Sequence, residues 1–164
     1  PVPIVAPVQG FAMGGAAALM AGCDVVVAGE STRIGSAFAQ IGFSCDSGSS
    51  ATFTARMGPA RARRFVLLAQ VLKSDEALQT GLAHRVVSDA TLQDEAMTLA
   101  RTLAEGPTLA YAEIKRLFLR AGAAQLESQL EDEALTLARV AASVDAQEGI
   151  AAMAERRSPV FRGA

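Results

Sequence analysis

A glycine-rich turn is the first feature of this sequence that could do chemistry. Gly14 and Gly15 stand between an apolar segment at residues 3–8 and a run of alanines. Glycine permits positive φ and close backbone approach, and the first amides of a helix have no intrahelical acceptor. Such a turn suits negative charge that develops on a substrate oxygen. The alternative is a tight turn with close helix–strand packing, which needs the same glycines.

Three further side chains could react, and each has a structural alternative. Asp46 lies in the Ser/Gly-rich stretch 42–49, where spacing alone favours the N-cap of a helix that begins near Ser49. Cys45 adjoins Asp46, but no Lys or His nearby in sequence would activate its thiol. His84 is the only histidine and stands far from Asp46 in sequence, which favours a structural or surface role.

The elements that would position these residues change in character near Ser88. Before it, the pattern predicts strands at residues 3–8, 24–28, 33–35 and 85–87 and helices at 14–21, about 49–56, 60–69 and 74–80. After it, only helices are predicted: 89 to about 106, 107 to about 121, about 126–141 and 145–154. Ser74, Asp89 and Asp145 are predicted to cap helices. The chain is therefore divided into an α/β part, residues 1–88, and a helical part, residues 89–164.

Composition places the chain among ordinary globular proteins and argues against several functions. Hydrophobic residues make up 51% and charged residues 20%, with a net charge of −2, no Trp and one Tyr, so neither disorder nor nucleic-acid binding is expected. The longest apolar stretch, residues 11–23, is shorter than the ~20 residues of a membrane span. Two cysteines make no disulfide framework and favour reduced thiols in a cytoplasmic protein. No metal, flavin or nicotinamide site is visible, and no charged leader precedes the first strand.

The motifs together resemble those of the crotonase (enoyl-CoA hydratase/isomerase) family. The resemblance covers essentially the whole chain and rests on the run 3–16, on Cys23-Asp24, on Arg33-Ile34-Gly35, on Gly81-Leu82 before Val86-Val87, and on the ending 148–161. It implies an α/β fold, a crotonase-like spiral of ββα turns whose N-terminal part is missing here. It also implies a C-terminal helical region that binds coenzyme A and builds a homotrimer, often paired into a hexamer.

The resemblance implies roles for particular residues. The N–H group of Gly15 would donate to the thioester oxygen of an acyl-CoA substrate, and a second donor would come from a segment before Pro1. The adenosine end of coenzyme A would contact Met153 and Arg156, often from a neighbouring subunit. Coenzyme A enters as part of the substrate, so no separate cofactor is expected. The residues implied to line the acyl pocket are Met13, Gly14, Phe38, Ile41 and Phe43.

The reaction implied by the resemblance depends on which carboxylates are present. Family hydratases use two glutamates to hold and activate water, and the matching positions carry Ala18 and Phe38, which cannot move a proton. Asp46 matches the Asp of family members that shift a double bond, including ring-epoxide isomerases of phenylacetyl-CoA breakdown. The resemblance therefore favours an acyl-CoA isomerase in which Asp46 moves the proton and Gly15 stabilises the enolate.

Other activities stay open at this point. The chain could be a hydratase in spite of the missing glutamates, or a non-catalytic acyl-CoA-binding or assembly subunit. A minor alternative is a dehalogenase of aromatic acyl-CoA thioesters, with Asp46 as nucleophile and Phe38 as one wall of the ring pocket. No nucleic-acid or membrane partner is expected in any of these cases.

Overall fold

The structure is a computed structural model, and it describes a defined part of the chain. This part comprises residues 2–105 and 141–160 and the helical positions 111, 115, 127, 130, 131, 134 and 138. Most residues of the helices predicted at 107 to about 121 and at about 126–141 lie outside it. None of the described helices is long and apolar enough to cross a membrane.

Short strands and helices alternate along the first part of the chain. The strands are β1 (Val5–Val8), β2 (Phe11–Met13), β3 (Val25–Gly29), β4 (Arg33–Gly35), β5 (Val71–Lys73) and β6 (Arg85–Val87). The helices are α1 (Gly15–Ala21), a 3₁₀ helix (Phe38–Ile41), α2 (Ser49–Met57), α3 (Pro59–Leu67), α4 (Ser74–Thr80), α5 (Leu92–Glu105) and α6 (Val144–Ala154). Apart from β2, β5 and the 3₁₀ helix, these elements confirm the predicted ones within a few residues.

The strands form two three-stranded sheets. In the first, β3 lies between β1 and β6 and is parallel to both. In the second, β4 lies between β2 and β5, parallel to β2 and antiparallel to β5. The chain passes from β1 through β2 and α1 to β3, and β1 and β3 pair in parallel.

Two strands of the second sheet were not predicted from the sequence. Both β2 and β5 directly precede a helix, and each is defined by its pairing with β4, a contact that no local pattern shows. The pairing of β2 with β4 has a direct consequence for the glycine turn. The N–H group of Gly14 donates to the carbonyl of Gly35 at 2.9 Å, which fixes the backbone immediately before α1.

The main core lies where α1, α2 and α3 pack together against the sheets. The rings of Phe53 and Phe65 meet edge to face with centroids 5.2 Å apart, a favourable arrangement for an aromatic pair. A smaller cluster under the first sheet joins Val27 to Leu92 and Ala96. Leu92 and Ala96 are four residues apart and lie on the buried face of α5.

Two of the predicted helix caps are wrong because their side chains have other partners. Ser74 is the first residue of α4 rather than its cap, and its hydroxyl donates to the carbonyl of Glu30 at 3.1 Å. The carboxylate of Asp89 accepts the N–H group of Ser31 at 3.2 Å instead of capping α5. Hydrogen bonding from Ser31 also lowers the pKa of Asp89 below its usual value.

Helix α6 packs closely against the 3₁₀ helix. Its cap is Ser143, whose hydroxyl accepts the N–H group of Ala146 at 3.1 Å, so the predicted cap Asp145 is also wrong. A Cβ atom at the buried Gly149 would overlap the carbonyl group of Ile41. Glycine is therefore required at this contact, which sets the C-terminal helix beside the segment that carries Phe38 and Ile41.

Replacing Gly149 by alanine is expected to destabilise the protein by about 1–3 kcal/mol, because the added methyl group forces two backbones apart. Urea unfolding of the two proteins would measure the difference. Gly22→Ala is the matched control, since a Cβ there would approach the carbonyl of Leu19 no closer than 3.4 Å. Equal unfolding midpoints for Gly149→Ala and the control would show that α6 does not depend on this close contact.

Candidate active site

The glycine turn leads directly into the first residues of α1. Strand β2 ends at Met13, and Gly14 then takes a positive φ of 56° as the residue before the helix. The first intrahelical bond runs from the N–H group of Ala18 to the carbonyl of Gly14 at 3.1 Å. The amide of Gly15 therefore has no acceptor within the helix and lies at its positive end.

Asp46 and Gly15 lie side by side in the structure. A Cβ atom at Gly15 would be 3.9 Å from Oδ1 of Asp46 and 3.2 Å from Oγ of Ser47. Because glycine has no such atom, the backbone of the turn can approach Ser47 and the carboxylate closely. The two residues that the resemblance made catalytic are thus neighbours in the fold, and their catalytic roles stay predictions.

The carboxylate of Asp46 does not cap α2, so the structural alternative for this residue is wrong. The residue before α2 is Gly48, and no side chain caps the helix. Asp46 uses its backbone carbonyl to accept the N–H group of Ser49 at 2.9 Å. Its Oδ1 atom is buried and has no hydrogen-bond partner among the described residues. A buried, unpartnered carboxylate oxygen is costly, and a catalytic role is one recognised reason for keeping it.

The loop that carries Asp46 is shaped by two consecutive left-handed residues. Ser47 has a φ of 53° and Gly48 a φ of 73°, and such a conformation in a non-glycine residue costs about 1–3 kcal/mol. A Cβ atom at Gly48 would be 3.4 Å from Cδ2 of Leu130. The helical part of the chain therefore reaches the loop, a contact that sequence reasoning missed because Gly48 and Leu130 lie far apart in the sequence.

Phe38 lies against the glycine turn. It is 6% exposed, and its ring carbons are 3.8 and 3.9 Å from the place of a Cβ atom at Gly14. Its carbonyl accepts the N–H group of Phe43 at 3.0 Å, which folds the following segment back. Phe43 and Ile41 are half-buried on this segment. The structure thus places Phe38 against Gly14, with Ile41 and Phe43 on the segment that follows Phe38. The contact of these three side chains with an acyl group stays a prediction.

Met13 packs within the second sheet. A Cβ atom at Gly35 would be 2.6 Å from Sδ of Met13 and 3.2 Å from Cγ2 of Val71, so the methionine fills the space that the glycine leaves.

Ala18, one of the two positions that match the hydratase glutamates, is 1% exposed and belongs to the main core. No side chain that transfers protons therefore stands at Ala18 or Phe38, the two positions matching the hydratase glutamates.

The arginines near α2 and α3 differ in their roles. Arg56 donates through Nε to the carbonyl of Ala21 at 3.0 Å and through Nη2 to the carbonyl of Cys23. It thereby satisfies carbonyls at the C-terminal end of α1. Arg61 and Arg64 instead border an open cavity of about 500 Å³.

The C-terminal end of α6 carries the residues implied to contact coenzyme A. Met153 is 66% exposed, and the exposed Arg156 follows the helix with a φ of 54°. Next to it, Arg157 binds Glu148 through two bonds of 2.5 and 2.8 Å and Glu155 through one of 2.6 Å. These bonds raise the pKa of Arg157 above its usual range and join the residues just after α6 to that helix. Contact of Met153 and Arg156 with coenzyme A stays a prediction.

His84 and the carboxylate and thiol side chains are further candidates for reactive or metal-binding groups. His84 is exposed, as expected for a surface residue, and its N–H group donates to the carbonyl of Val26 at 2.8 Å. Within the described ranges, no group of three or more His, Cys, Asp or Glu side chains could hold a metal ion.

Comparison with known proteins gives consistent matches along the whole chain. The family model described as enoyl-CoA hydratase/isomerase matches residues 1–164. A 1,2-epoxyphenylacetyl-CoA isomerase of Escherichia coli is 36% identical over 163 residues, which are 99% of this chain and 62% of the relative. A probable enoyl-CoA hydratase of Rhodobacter capsulatus is 34% identical over 99% of this chain and 63% of its own length. The chain therefore spans less than two thirds of these relatives.

Solved structures agree with the sequence matches. An enoyl-CoA hydratase from Mycobacterium avium subsp. paratuberculosis superposes with a TM-score of 0.93 and 34% identity, over 98% of this chain and 65% of the other. An enoyl-CoA hydratase/isomerase from Pseudoalteromonas atlantica gives a TM-score of 0.92 with 31% identity, over 98% and 64%.

Proposed function

Because this chain belongs to the enoyl-CoA hydratase/isomerase (crotonase) family, we propose that it forms part of an acyl-CoA isomerase that shifts a double bond through an enolate. One observation carries the proposal. The buried Oδ1 atom of Asp46 has no hydrogen-bond partner among the described residues and lies 3.9 Å from the place of a Cβ atom at Gly15. The proposed general base and the proposed oxyanion donor are thus neighbours in the fold.

In the proposed reaction the acyl thioester lies between these two groups. Its carbonyl oxygen accepts the N–H group of Gly15, and Asp46 takes a proton from a carbon of the acyl chain. The electrons of the broken C–H bond form the enolate, whose negative oxygen the amide and the positive end of α1 stabilise. Asp46 then returns the proton to a different carbon, and the double bond has moved. In the family, a segment preceding this part supplies the second donor to the oxygen.

Hydration is the second candidate, since one relative at 34% identity is a probable enoyl-CoA hydratase. Adding water requires a group that deprotonates the water and a group that protonates carbon. With Ala18 and Phe38 both buried, Asp46 would have to serve both steps alone. A single carboxylate suits a proton that leaves one carbon and returns to another, which is why isomerisation is the function proposed.

The coenzyme A part of the substrate is proposed to lie along the end of α6. An arginine suits a phosphate group because its planar guanidinium forms paired, charge-assisted hydrogen bonds. Arg156 is exposed there, while the neighbouring Arg157 is engaged by Glu148 and Glu155. A homotrimer or hexamer, in which one subunit completes the site of the next, is part of the same proposal.

The test follows products by mass spectrometry in deuterated water, with the full-length gene product that contains this chain. The substrates are a 3-enoyl-CoA, a 2-enoyl-CoA and 1,2-epoxyphenylacetyl-CoA. A migrated double bond with deuterium at an acyl carbon is the expected result. Hydroxyacyl-CoA as the main product would establish hydration instead, and binding without product or exchange would identify a non-catalytic acyl-CoA-binding subunit.

A further inference from the structure

A second polar atom next to Asp46 is buried without a partner. Ser49 is the first residue of α2 and is fully buried. Its Oγ atom, like Oδ1 of Asp46, has no hydrogen-bond partner within the part of the chain that the structure describes. The two residues belong to one turn, closed by the bond from the N–H group of Ser49 to the carbonyl of Asp46.

A comparison with Ser74 shows that burial at this helix position does not require an unpartnered hydroxyl. Ser74 is likewise the first residue of its helix and is 8% exposed, but its hydroxyl donates to the carbonyl of Glu30 at 3.1 Å. The hydroxyl of Ser74 thus has a structural role, since it binds the chain at Glu30. Burying an oxygen without such a partner costs free energy, so the hydroxyl of Ser49 calls for an explanation that the fold does not supply.

We propose that Ser49 is a positioning residue, whose hydroxyl hydrogen-bonds the carboxyl group of Asp46 during turnover. The inference rests on the proposed function, in which Asp46 alternates between an ionised and a protonated form. A serine hydroxyl is both a donor and an acceptor, and it can turn between staggered rotamers. It donates to the ionised carboxylate before proton abstraction, and it accepts from the carboxylic acid afterwards. One side chain thereby supports both states of the base.

The inference predicts a separation of activity from stability in Ser49→Ala. Loss of a hydrogen bond to an ionised group is expected to lower kcat about tenfold, with KM within about twofold of the wild type. Because a hydrogen bond to an ionised carboxylate is stronger than one to the neutral acid, its loss moves the acid side of the kcat–pH profile to higher pH. The thermal midpoint stays equal or rises, since a buried hydroxyl without a partner is removed.

Ser74→Ala is the matched control, with the same change at the same helix position. It loses a formed hydrogen bond, so its thermal midpoint falls while kcat and the pH profile stay as in the wild type. Both variants are measured in the full-length protein by deuterium exchange into the acyl group. An unchanged kcat–pH profile in Ser49→Ala, or equal losses of kcat in both variants, overturns the inference and leaves the proposed function standing. Absence of exchange in the wild type, or exchange that survives loss of the Asp46 carboxylate, overturns both.

Discussion

Asp46→Asn is expected to lower kcat for double-bond migration by about 10³-fold, within the range that a positioned acid–base group contributes. Asparagine has nearly the same size as aspartate but cannot take up the proton. The Oδ1 atom of Asp46 has no partner among the described residues, so the substitution breaks no observed hydrogen bond of that atom. We therefore expect unchanged stability and a KM within about threefold of the wild type. Single-turnover kinetics and deuterium incorporation measure the loss of the chemical step.

Asp24→Asn provides the control for this variant, because Asp24 is a carboxylate with a structural role. It accepts the N–H group of Ile4 and the Nζ group of Lys115, both at 2.7 Å. Its loss is expected to lower the unfolding midpoint and to leave kcat unchanged, the reverse of the result for Asp46→Asn. Full turnover in Asp46→Asn would remove this residue from the mechanism and with it the proposed isomerase.

Gly15→Ala is expected to lower kcat by about 10²-fold, the cost of a misplaced substrate or a lost oxyanion donor. The new methyl group would lie 3.2 Å from Oγ of Ser47 and 3.9 Å from Oδ1 of Asp46. It would therefore occupy the space in which the thioester is proposed to meet both the amide and the base. Steady-state kinetics with an enoyl-CoA substrate measure the effect.

Gly15→Ala should lower kcat without lowering the free energy of unfolding. Alanine is a better helix former than glycine by about 1 kcal/mol, which offsets the close contact with Ser47. Gly22→Ala, at the other end of α1, controls for the change of residue type and is expected to keep full activity. Wild-type kcat in Gly15→Ala would mean that the substrate does not enter this space, and the oxyanion site would then have to lie elsewhere.

Local patterns were sufficient to predict much of the fold. The consecutive valines of β3 and the apolar stripe of α5 carry the periodicity of a buried strand and of an amphipathic helix within a few residues. The pair Gly14-Gly15, with the run around it, indicated the family because glycine is required where a strand turns sharply into a helix. Hydrophobic periodicity and backbone conformation are short-range properties, so the order of residues alone determined them.

Contacts between distant segments decided the rest. The strands β2 and β5 exist because they pair with β4, and Gly149 is needed because α6 approaches the carbonyl of Ile41. Asp89 was predicted as a cap, but its carboxylate accepts a hydrogen bond from the backbone N–H group of Ser31. No sequence pattern near Asp89 indicates that partner. Spacing likewise gave Asp46 the role of a cap. In the structure Gly48 precedes α2, no side chain caps this helix, and Oδ1 of Asp46 is buried without a partner among the described residues. Burial and partnership depend on what the folded chain brings together, so the tertiary structure alone decided which polar groups remain for chemistry.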